Sequence, residues 1–440
     1  MSNVRVHTLE SWCDRLGSDV DVSLYGDRSA WLPGFGVFES CGEEADEVFL
    51  AYVHYLNQMG FGPSTVRMLS VDQGESFYEA MARDEPLMCA MPKAASEGMG
   101  IEAFCASDAF DAFRELDSIA LYSVMMRTSR VPVANQIDDK VLAREFAIKI
   151  GTRATYPEFH LCYAPSEVIP AVRCMTRRYG SCIVKVPDLA SGMGMLKVRD
   201  ANDPRINGFV RRYFALCRAM IVERDVGRHV PVSVQWEVHS DGSFTRLFFG
   251  MQVMGYNPEA GAPTVHSGGD IASVPTEVLN GQTTQADRQH IVEAAFLLGE
   301  PEVEQVAKTG YVGRVGADVL FGFRNGRLFV KKVEYSGRVT GATYPHALLV
   351  TAVKQANGRP CAISFRNASP TTPIQDWRSV ERLFAEGENL NYRPETVEGV
   401  VIGLPRRLPG KCILGAIAET PTDSRNMVNQ ALARIGHHTT

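Results

Sequence analysis

The sequence predicts an α/β (α+β) protein, and three features of the chain lead to this prediction. Strand-like and helix-like segments alternate through residues 1–130, which is typical of a sheet covered by helices. Several β-type segments then follow closely between residues 181 and 255. Finally, Asn325-Gly326 separates two apolar runs and gives the clearest hairpin signal in the chain.

The first section, residues 1–130, is predicted to be an N-terminal α/β domain. We expect strands at 19–26 and 86–92, where short runs rich in apolar residues occur. We expect helices at 43–60 and 107–126, where apolar residues recur at helical spacing.

The middle section, residues 131–350, begins with a helix in which Leu142, Phe146 and Ile150 recur every four residues and Gly151 ends the helix. The β-type segments that follow suggest an extensive sheet. Strands are expected at 155–159, 181–187, 220–226, 231–239 and 241–255, followed by the hairpin 316–335, and helices at 165–180 and 346–357.

The last section, residues 351–440, is predicted to be a small C-terminal α/β appendage. Strands are expected at 399–405 and 412–419. A terminal helix should follow, because Val428, Ala431 and Ile435 share one helical face.

Composition argues against several classes of function. The chain has 440 residues, 45% of them hydrophobic, which is enough for several globular cores. The net charge of −6, without a basic block, argues against nucleic acid as a partner. We expect a cytoplasmic protein without a membrane partner, since the N-terminus is not a secretory signal and no apolar run is long enough to span a bilayer. The ten cysteines are scattered and form no C-x-x-C pair, so we expect reduced thiols and no thiolate zinc site.

Two segments look like familiar nucleotide-binding motifs but lack features that those motifs require. "GMGIEA" (98–103) has the spacing of a dinucleotide fingerprint, but it does not directly follow a strand and lacks an acidic ribose partner. "PGKC" (409–412) differs from a phosphate loop, because Pro405 replaces the first glycine and Cys412 the hydroxyl. The patterns of zinc proteases, α/β-hydrolases and protein kinases are missing.

The segment "IVKVPDLASGMGMLKV" (183–198) is the first signal of phosphate binding. Lys185 lies on a predicted strand and is followed by a loop of small residues. Backbone N–H groups of such a loop can approach phosphate oxygens, and a lysine below the loop supplies positive charge. A lysine followed by a glycine turn is also what an ordinary β-hairpin carries, so this segment decides nothing alone.

Other polar residues follow in a definite order along the chain. A lysine opens the first middle helix, an acid lies on a strand near residue 223, and another acid lies on the first arm of the hairpin. The second arm carries an acid, a hydroxyl and an arginine on one face. These residues are Lys140, Glu223, Asp318, Glu334, Ser336 and Arg338.

In this order of residues the chain resembles the ATP-grasp ligases, which join a carboxylate to an amine through an acyl-phosphate. The resemblance covers residues 131–346 and is strongest at 183–195 and 316–341. Together with its flanking sections, the chain looks like the pheganomycin-type peptide ligases of natural-product (antibiotic) biosynthesis. The resemblance implies a pre-ATP-grasp domain at 1–130, an ATP-grasp region at 131–350 and a C-terminal α/β domain at 351–440.

The resemblance implies ATP and Mg²⁺ as cofactors and assigns a role to each matching residue. Lys140 and Lys185 would hold the α- and β-phosphates, Glu223 would take the adenine amino group, and the Val226 backbone would meet the ring edge. The loop that closes over the nucleotide would consist of Ser191, Gly192, Met193 and Gly194.

On the hairpin, the resemblance assigns Asp318 and Glu334 to Mg²⁺, and Arg338, with Lys185, to catalysis at the transferred phosphoryl group. Hard oxygen ligands suit Mg²⁺, and a guanidinium suits an oxyanion. Two positions depart from the family pattern, which has a glutamate at His229 and an asparagine at Ser336. Ser336 therefore leaves the number of metal ions open, whereas an imidazole at His229 can still hydrogen-bond ribose.

The register of the hairpin tests the metal assignment. A plain two-residue turn at Asn325-Gly326 would place Asp318 opposite Val333, on the face away from Glu334. A three-residue loop, or an equivalent β-bulge, would bring both carboxylates to one face. The strand period also places Lys332 on the face of Glu334, where it would balance the carboxylates.

The substrates are the least defined part of the prediction. His266, in the turn-rich segment 254–270, and Arg314 are candidates for a substrate carboxylate or amine, although a solvated loop explains the segment equally well. Arg28 and residues 31–36 are further candidates without a ranking.

The predicted partners are a small-molecule carboxylate and an amine, such as an amino acid or peptide, with a homodimer as one expectation. Two alternatives stay open. One is a ligase for a non-peptide carboxylate, and the other is a degenerate nucleotide-binding regulatory protein.

Overall fold

The computed structural model describes residues 3–7, 24–116, 119, 125–187, 194–258, 260–372 and 374–437. In these ranges the chain builds three β-sheets with helices packed around them. Most of the strand predicted at 19–26 lies outside the described residues, and its last residues, Tyr25 and Gly26, begin the 3₁₀ helix Tyr25–Trp31. None of the described helices has the length and apolar character needed to cross a membrane.

The N-terminal sheet is parallel, with the strand order β3-β2-β1-β4-β5. Its strands are β1 Asn3–Val6, β2 Gly34–Glu39, β3 Thr65–Leu69, β4 Gly100–Ala103 and β5 Met125–Met126. Its helices are α1 Glu43–Gln58, α2 Phe77–Arg83, α3 Glu85–Ser96 and α4 Asp108–Arg114. The strand order reverses between β1 and β4, so the connections that leave these two strands separate at their carboxyl ends.

The strand predicted at 86–92 is wrong, because these residues lie in helix α3. The Asp84 carboxylate caps this helix by accepting the Leu87 amide, and Pro86 lies in its first turn, where a missing N–H costs nothing. The helix predicted at 107–126 begins as α4 but ends at Arg114, and Met125–Met126 is strand β5.

The small sheet is antiparallel and has the order β6-β9-β7-β8. Its strands are β6 Phe159–Cys162, β7 Cys182–Lys185, β8 Met195–Val198 and β9 Met220–Arg224. Helices α7 Pro165–Tyr179 and α8 Arg205–Tyr213 form a shared apolar core with it. Ahead of this sheet lie helices α5 Val131–Asp138 and α6 Lys140–Lys149, the second of which is capped by the Asp139 carboxylate.

The large sheet is antiparallel, with the order β14-β13-β10-β11-β12-β15-β17-β16. Its strands are β10 Val230–Val238, β11 Phe244–Asn257, β12 Ala262–Ala272, β13 Gly313–Arg324, β14 Arg327–Ser336, β15 Ala362–Ala368, β16 Gly399–Gly403 and β17 Cys412–Ala418. The remaining helices are α9 Gln285–Lys308, α10 Thr343–Gln355, α11 Trp377–Ala385 and α12 Pro421–Arg434. Segment 254–270 is therefore mostly the β11–β12 hairpin rather than a solvated loop.

The C-terminal strands continue the large sheet, because β15 pairs with β12 and β17 pairs with β15. Residues 351–440 thus contribute no sheet of their own, although the boundaries at 130 and 350 stay predictions. Trp31 connects the two ends of the chain, since its indole N–H lies 3.0 Å from the Tyr52 hydroxyl and 3.3 Å from the Ile402 carbonyl oxygen. A Cβ on Gly403 would lie 2.7 Å from the Trp31 ring, so this contact requires glycine or a shift of the ring.

Candidate active site

A cavity of about 1980 Å³ opens between the small sheet and the large sheet. Strands β7, β8 and β9 line one wall, and strands β10, β11, β13 and β14 line the other. The volume exceeds the roughly 300–1,000 Å³ of common small-molecule pockets, so more than one small molecule fits. Predicted site residues in its lining are Lys140, Lys185, Glu223, Val226, His229, His266, Asp318, Glu334, Ser336 and Arg338.

A β-bulge sets the register of the β13–β14 hairpin. The turn itself has two residues, since Arg324 pairs with Arg327 and both Asn325 (φ 50°) and Gly326 (φ 73°) are left-handed. The register then shifts between Asp318 and Val319, so that Asp318 pairs directly with Glu334. The hairpin therefore has the equivalent bulge that the metal assignment required, not the three-residue loop.

Arg144 satisfies the backbone of the bulge. The extra residue is Val333, and its carbonyl oxygen accepts a hydrogen bond from Arg144 Nη2 at 2.5 Å. The Arg144 side chain is fully buried and its guanidinium carbon lies 3.8 Å from the centre of the Tyr156 ring. A buried carbonyl left without a donor would cost about 1–3 kcal/mol, so Arg144 stabilises the irregular register.

Asp318 and Glu334 form a carboxylate pair on the cavity wall. Gln252 Nε2 donates to Asp318 Oδ1 at 2.7 Å. Burial, and then the charge of Glu334, raise the pKa of Asp318 to about 7. Burial opposes ionisation of Glu334 as well, but Lys140, Lys185 and Arg338 outweigh it and lower the pKa of Glu334.

Two cations hold positions beside this pair. Lys140 Nζ lies 3.7 Å from Glu334 Oε2 and donates to the Pro187 carbonyl at 3.0 Å. Arg338 Nη1 lies 3.2 Å from Asp138 Oδ1, and the same oxygen accepts the Gly337 amide at 3.0 Å. Both cations therefore have fixed positions on the lining of the cavity.

A Mg²⁺ ion fits this donor set. The described residues contain no cluster of three or more His, Cys, Asp or Glu side chains that could hold a metal by itself. Asp318 and Glu334 offer hard oxygen donors from two residues, and Mg²⁺ commonly takes its other ligands from phosphates and water. The pair also keeps a proton on Asp318 near neutral pH, which a cation would displace. Ser336 lines the same wall, paired with Gly316 across the hairpin, and its role at a metal stays a prediction.

Lys185 and Glu223 are brought together by the pairing of strand β7 with strand β9. Lys185 Nζ lies 2.7 Å from Glu223 Oε1, and Arg144 Nη2 lies 2.6 Å from Glu223 Oε2. Both Glu223 oxygens therefore already accept from cations. The adenine contact predicted for Glu223 would have to share one of these oxygens.

The connection from β9 to β10 forms the next part of the wall. The Asp225 carboxylate fixes it by accepting the Gly227 amide at 3.0 Å and pairing with Lys197 Nζ at 2.8 Å. His229 Nδ1 lies 2.6 Å from the Gly227 carbonyl oxygen and so donates to it, and burial lowers the pKa of this imidazole. Val226 also lines the cavity, and its contact with the adenine edge stays a prediction.

Three residues of the predicted nucleotide loop, Ser191, Gly192 and Met193, lie outside the described residues. Gly194 is left-handed (φ 63°), and its carbonyl accepts the Val186 amide at 2.9 Å, which closes the base of the loop.

Arg314 does not line the cavity. It pairs with Glu237 on the neighbouring strand, and its Nη1 lies 3.9 Å from Glu237 Oε2. This placement gives no support to Arg314 as a substrate ligand.

The expectation for Lys332 is wrong. The bulge reverses the alternation of side chains along β14, so Lys332 and Glu334 point to opposite faces. Lys332 is fully buried, and its Nζ lies 2.7 Å from Glu302 Oε1 on α9 and 3.0 Å from the Tyr335 hydroxyl. Burial lowers the pKa of Lys332 to about 8, against the opposing effect of Glu302.

Sequence reasoning missed three residues that shape the site, namely Arg144, Lys197 and Gln252. Each is an ordinary polar residue in an amphipathic segment, without a spacing signal. Arg144 gave no sign either, because it is two residues from both Leu142 and Phe146 and so lies on the side of the helix opposite the predicted apolar face. Only the folded chain shows that its partners are Glu223 and the bulge carbonyl.

The raised pKa of Asp318 predicts a pH dependence of the metal-free protein. In the unfolded chain an aspartate has a pKa of about 3.9, so between about pH 4 and 7 the native state holds a proton that the unfolded state has released. The free energy of unfolding should therefore fall as the pH rises through this window. In EDTA, we expect the urea midpoint to fall less between pH 5 and 8 in Asp318→Asn than in the wild type. Equal pH slopes in the two proteins would contradict this.

Comparison with known proteins shows similarity at the level of structure alone. No protein-family model matches the chain, and no curated protein matches its sequence. Biotin carboxylase of Campylobacter jejuni, solved in complex with β,γ-ATP, aligns with a TM-score of 0.52 and 13% identity over 99% of this chain and 91% of that one.

Two further carboxylases align equally well. Pyruvate carboxylase of Rhizobium etli has a TM-score of 0.52 and 12% identity, over 98% of this chain and 37% of that one. The biotin carboxylase domain of Hydrogenobacter thermophilus 2-oxoglutarate carboxylase, solved with MgADP, ADP and bicarbonate, has a TM-score of 0.52 and 10% identity, over 100% of this chain and 91% of that one. The fold is the ATP-grasp fold, which confirms the fold prediction.

Proposed function

We propose that the protein is an ATP- and Mg²⁺-dependent ligase that joins a carboxylate to an amine. In this reaction a carboxylate oxygen attacks the γ-phosphorus of ATP and ADP leaves. The amine then attacks the carbonyl carbon of the acyl-phosphate, a C–N bond forms, and phosphate leaves. The proposal includes an amino acid or a peptide as one of the substrates. It also includes a role as a peptide ligase in antibiotic biosynthesis.

The observation that carries this proposal is the placement of Asp318 directly across from Glu334 by the bulge at Val333. The pair lies in a cavity that Lys140 and Arg338 also line. Two carboxylates and several cations around one space suit a metal nucleotide, because phosphoryl transfer depends on positioning and charge rather than on a protein nucleophile.

Each residue of the site has a separate task in the proposed reaction. When bound, Mg²⁺ would neutralise phosphate charge, with Asp318 and Glu334 as its protein ligands. Lys140 and Lys185 line the cavity as cations beside the carboxylate pair, so both would attract phosphate oxygens. Arg338 would stabilise the negative charge of the transferring phosphoryl group with a forked pair of donors.

Two of the three aligned carboxylase structures contain a nucleotide. C. jejuni biotin carboxylase was solved with an ATP analogue, and the H. thermophilus domain with MgADP. ATP and Mg²⁺ as cofactors of the present chain are therefore supported by the shared fold together with the carboxylate pair.

The proposal is tested by measuring ADP release with pools of carboxylic acids, amino acids and peptides, followed by mass spectrometry of the products. Amine-dependent ADP release with an amide product is the expected result. Tight ATP binding without turnover on any pool would favour the regulatory alternative. Products from carboxylates that are not amino acids would favour the non-peptide ligase.

Lys185→Met should weaken ATP binding without unfolding the chain. The substitution removes a buried charge near the predicted phosphates and leaves Glu223 paired with Arg144. Hydrogen bonds to charged groups contribute about 1.5–3 kcal/mol, so the Kd of Mg-ATP should rise about tenfold or more. Calorimetric titration measures this Kd, and Lys308→Met, at an exposed position of α9, is the control. An unchanged Kd would remove Lys185 from the phosphate site.

A further inference from the structure

The cavity extends past the carboxylate pair to a part that the nucleotide assignment does not use. This part, the second end of the cavity, is lined by Tyr25, Arg28, His266, Phe365, Asn367 and Lys411. Its residues come from the 3₁₀ helix Tyr25–Trp31, from β12 and β15, and from the turn before β17.

Charge is distributed unevenly over the cavity lining. The described carboxylates that line it are all on the nucleotide side, on α5, at the α6 N-cap, on β9 with the connection that follows, and on β13–β14. They are Asp138, Asp139, Glu223, Asp225, Asp318 and Glu334. The second end contributes Arg28 and Lys411 but, among the described residues, no carboxylate.

Arg28 is the main charged group of the second end. Its guanidinium carbon lies 4.5 Å from the centre of the Tyr25 ring, and its buried Nε has no hydrogen-bond partner among the described atoms. Burial lowers the pKa of Arg28, and the neighbours that act on it within the described part of the chain are Tyr344, Tyr25 and Arg407, which include no carboxylate. A half-buried guanidinium with no carboxylate beside it in the described ranges is costly, and a bound carboxylate would lower that cost.

The groups around Arg28 favour an anion as well. Lys411 Nζ donates to the Tyr25 hydroxyl and lies 4.9 Å from the centre of the same ring, so two cations share one small space. Burial, and then the charges of Arg28 and Arg366, lower the pKa of His266 to about 4, so this imidazole is neutral near pH 7. It can therefore offer a hydrogen bond without adding repulsion.

The topology of the N-terminal sheet points to the same place. The strand order reverses between β1 and β4, and ligands of such sheets bind outside the carboxyl ends of the strands at this point. Tyr25 and Arg28 follow β1, and Phe104 directly follows β4. All three residues line the cavity, so the crevice of the N-terminal sheet opens into the second end.

The distance between the two ends is bounded by the chain. Arg28 Nη1 lies 3.9 Å from the position that a Cβ on Gly341 would take, as does the His266 ring. Gly341 is three residues after Arg338, and three residues span at most about 10 Å. Arg28 Nη1 therefore lies no more than about 16 Å from the Arg338 Cα, so one extended substrate can reach from Arg338 to Arg28.

We propose that the second end binds a carboxylate of the substrate other than the reacting one, with Arg28 as its principal contact and His266 and Lys411 beside it. This inference rests on the proposed ligase function. The carboxylate has two sources: the free carboxylate of an amino-acid acceptor, or the second carboxylate of a dicarboxylic donor.

A binding experiment that needs no turnover tests the subsite. The protein is saturated with Mg²⁺ and a non-hydrolysable ATP analogue, and its Tm is measured with matched probe pairs. One arm compares the common L-amino acids with their α-amides, and the other compares succinate and glutarate with their monoamides. We expect stabilisation by the carboxylate of at least one pair, and a Kd raised about tenfold or more in Arg28→Gln.

Arg407→Gln is the matched control, because its guanidinium carbon lies 5.1 Å from the centre of the Tyr25 ring although Arg407 does not line the cavity. The control should keep the preference for carboxylates. The arm that responds identifies the source of the carboxylate. A wild type that treats carboxylates and amides alike, or an Arg28→Gln variant with unchanged affinity, would overturn the subsite. Absence of ADP release while the carboxylate preference is present would overturn the ligase function only.

Discussion

Replacing Arg338 by alanine is expected to lower amine-dependent ADP release by about a thousandfold or more, since an arginine that stabilises a transferring phosphoryl group contributes about 10³–10⁵ to kcat. Arg338 lines the cavity beside the carboxylate pair and lies 3.2 Å from Asp138. The loss should appear in kcat, with the Kd of Mg-ATP changed only a few-fold, because the charge it stabilises develops in the transition state. Steady-state kinetics and ATP titration separate the two quantities.

Two variants make this result interpretable. Arg338→Lys keeps the charge but loses the planar fork, so it should recover only a small part of the rate. Arg130→Ala removes an exposed arginine at the start of α5 and should leave kcat unchanged. Near-normal turnover in Arg338→Ala, with the fold retained, would remove Arg338 from the catalytic assignment and weaken the proposed reaction.

Replacing Lys332 by alanine is expected to destabilise the protein by about 3–5 kcal/mol, because it leaves the charge of Glu302 buried without its partner. Both side chains of this ion pair are fully buried, and their charged atoms lie 2.7 Å apart. Urea-unfolding midpoints measure the effect. Lys331→Ala is the matched control, because the Lys331 side chain is partly exposed and its hydrogen bond within the described residues goes to the Ala154 carbonyl. We expect a change below about 1 kcal/mol.

A double variant separates the ion pair from simple loss of packing. Glu302 also accepts hydrogen bonds from the Tyr156 hydroxyl at 2.9 Å and from Thr152 Oγ1 at 2.5 Å. Combining Lys332→Met with Glu302→Gln removes both charges and keeps an acceptor for these hydroxyls. We expect the double variant to recover more than half of the stability lost in Lys332→Ala. A double variant as unstable as Lys332→Ala would show that packing, and not the buried charge, sets the cost.

The buried ion pair of Lys332 and Glu302 also explains why the face of β14 that carries Glu334 has a fixed position. Lys332 and Tyr335 attach one face of the strand to α9, through Glu302, the Leu298 carbonyl and the Gly299 carbonyl. The opposite face carries Glu334 into the cavity. A strand held on its inner face presents its outer residues in a fixed register, so the ion pair supports the geometry of the site without touching it.

The local patterns of the sequence predicted most elements of the middle section and part of the N-terminal section. Helices α1, α6, α7 and α10 and the β13–β14 hairpin occur where apolar spacing and turn residues placed them. The strand prediction for residues 86–92 is wrong because a short apolar run fits a strand and a helix equally well. The N-cap at Asp84 favours the helix. The extent of the large sheet also escaped prediction, because pairing of β12 with β15 joins segments distant in the chain.

The sequence by itself determined the polar series from Lys140 to Arg338 and the Asn325-Gly326 turn, since residue types and short-range turn chemistry are local properties. Only the tertiary structure decided which of these residues meet. One extra residue at Val333 reverses the alternation of a strand, so it brings Glu334 to Asp318 and sends Lys332 into the core. Long-range packing likewise brings Arg28 to the cavity and keeps Arg314 away from it. No local pattern carries that information, because it depends on which distant segments the register and the sheet order place side by side.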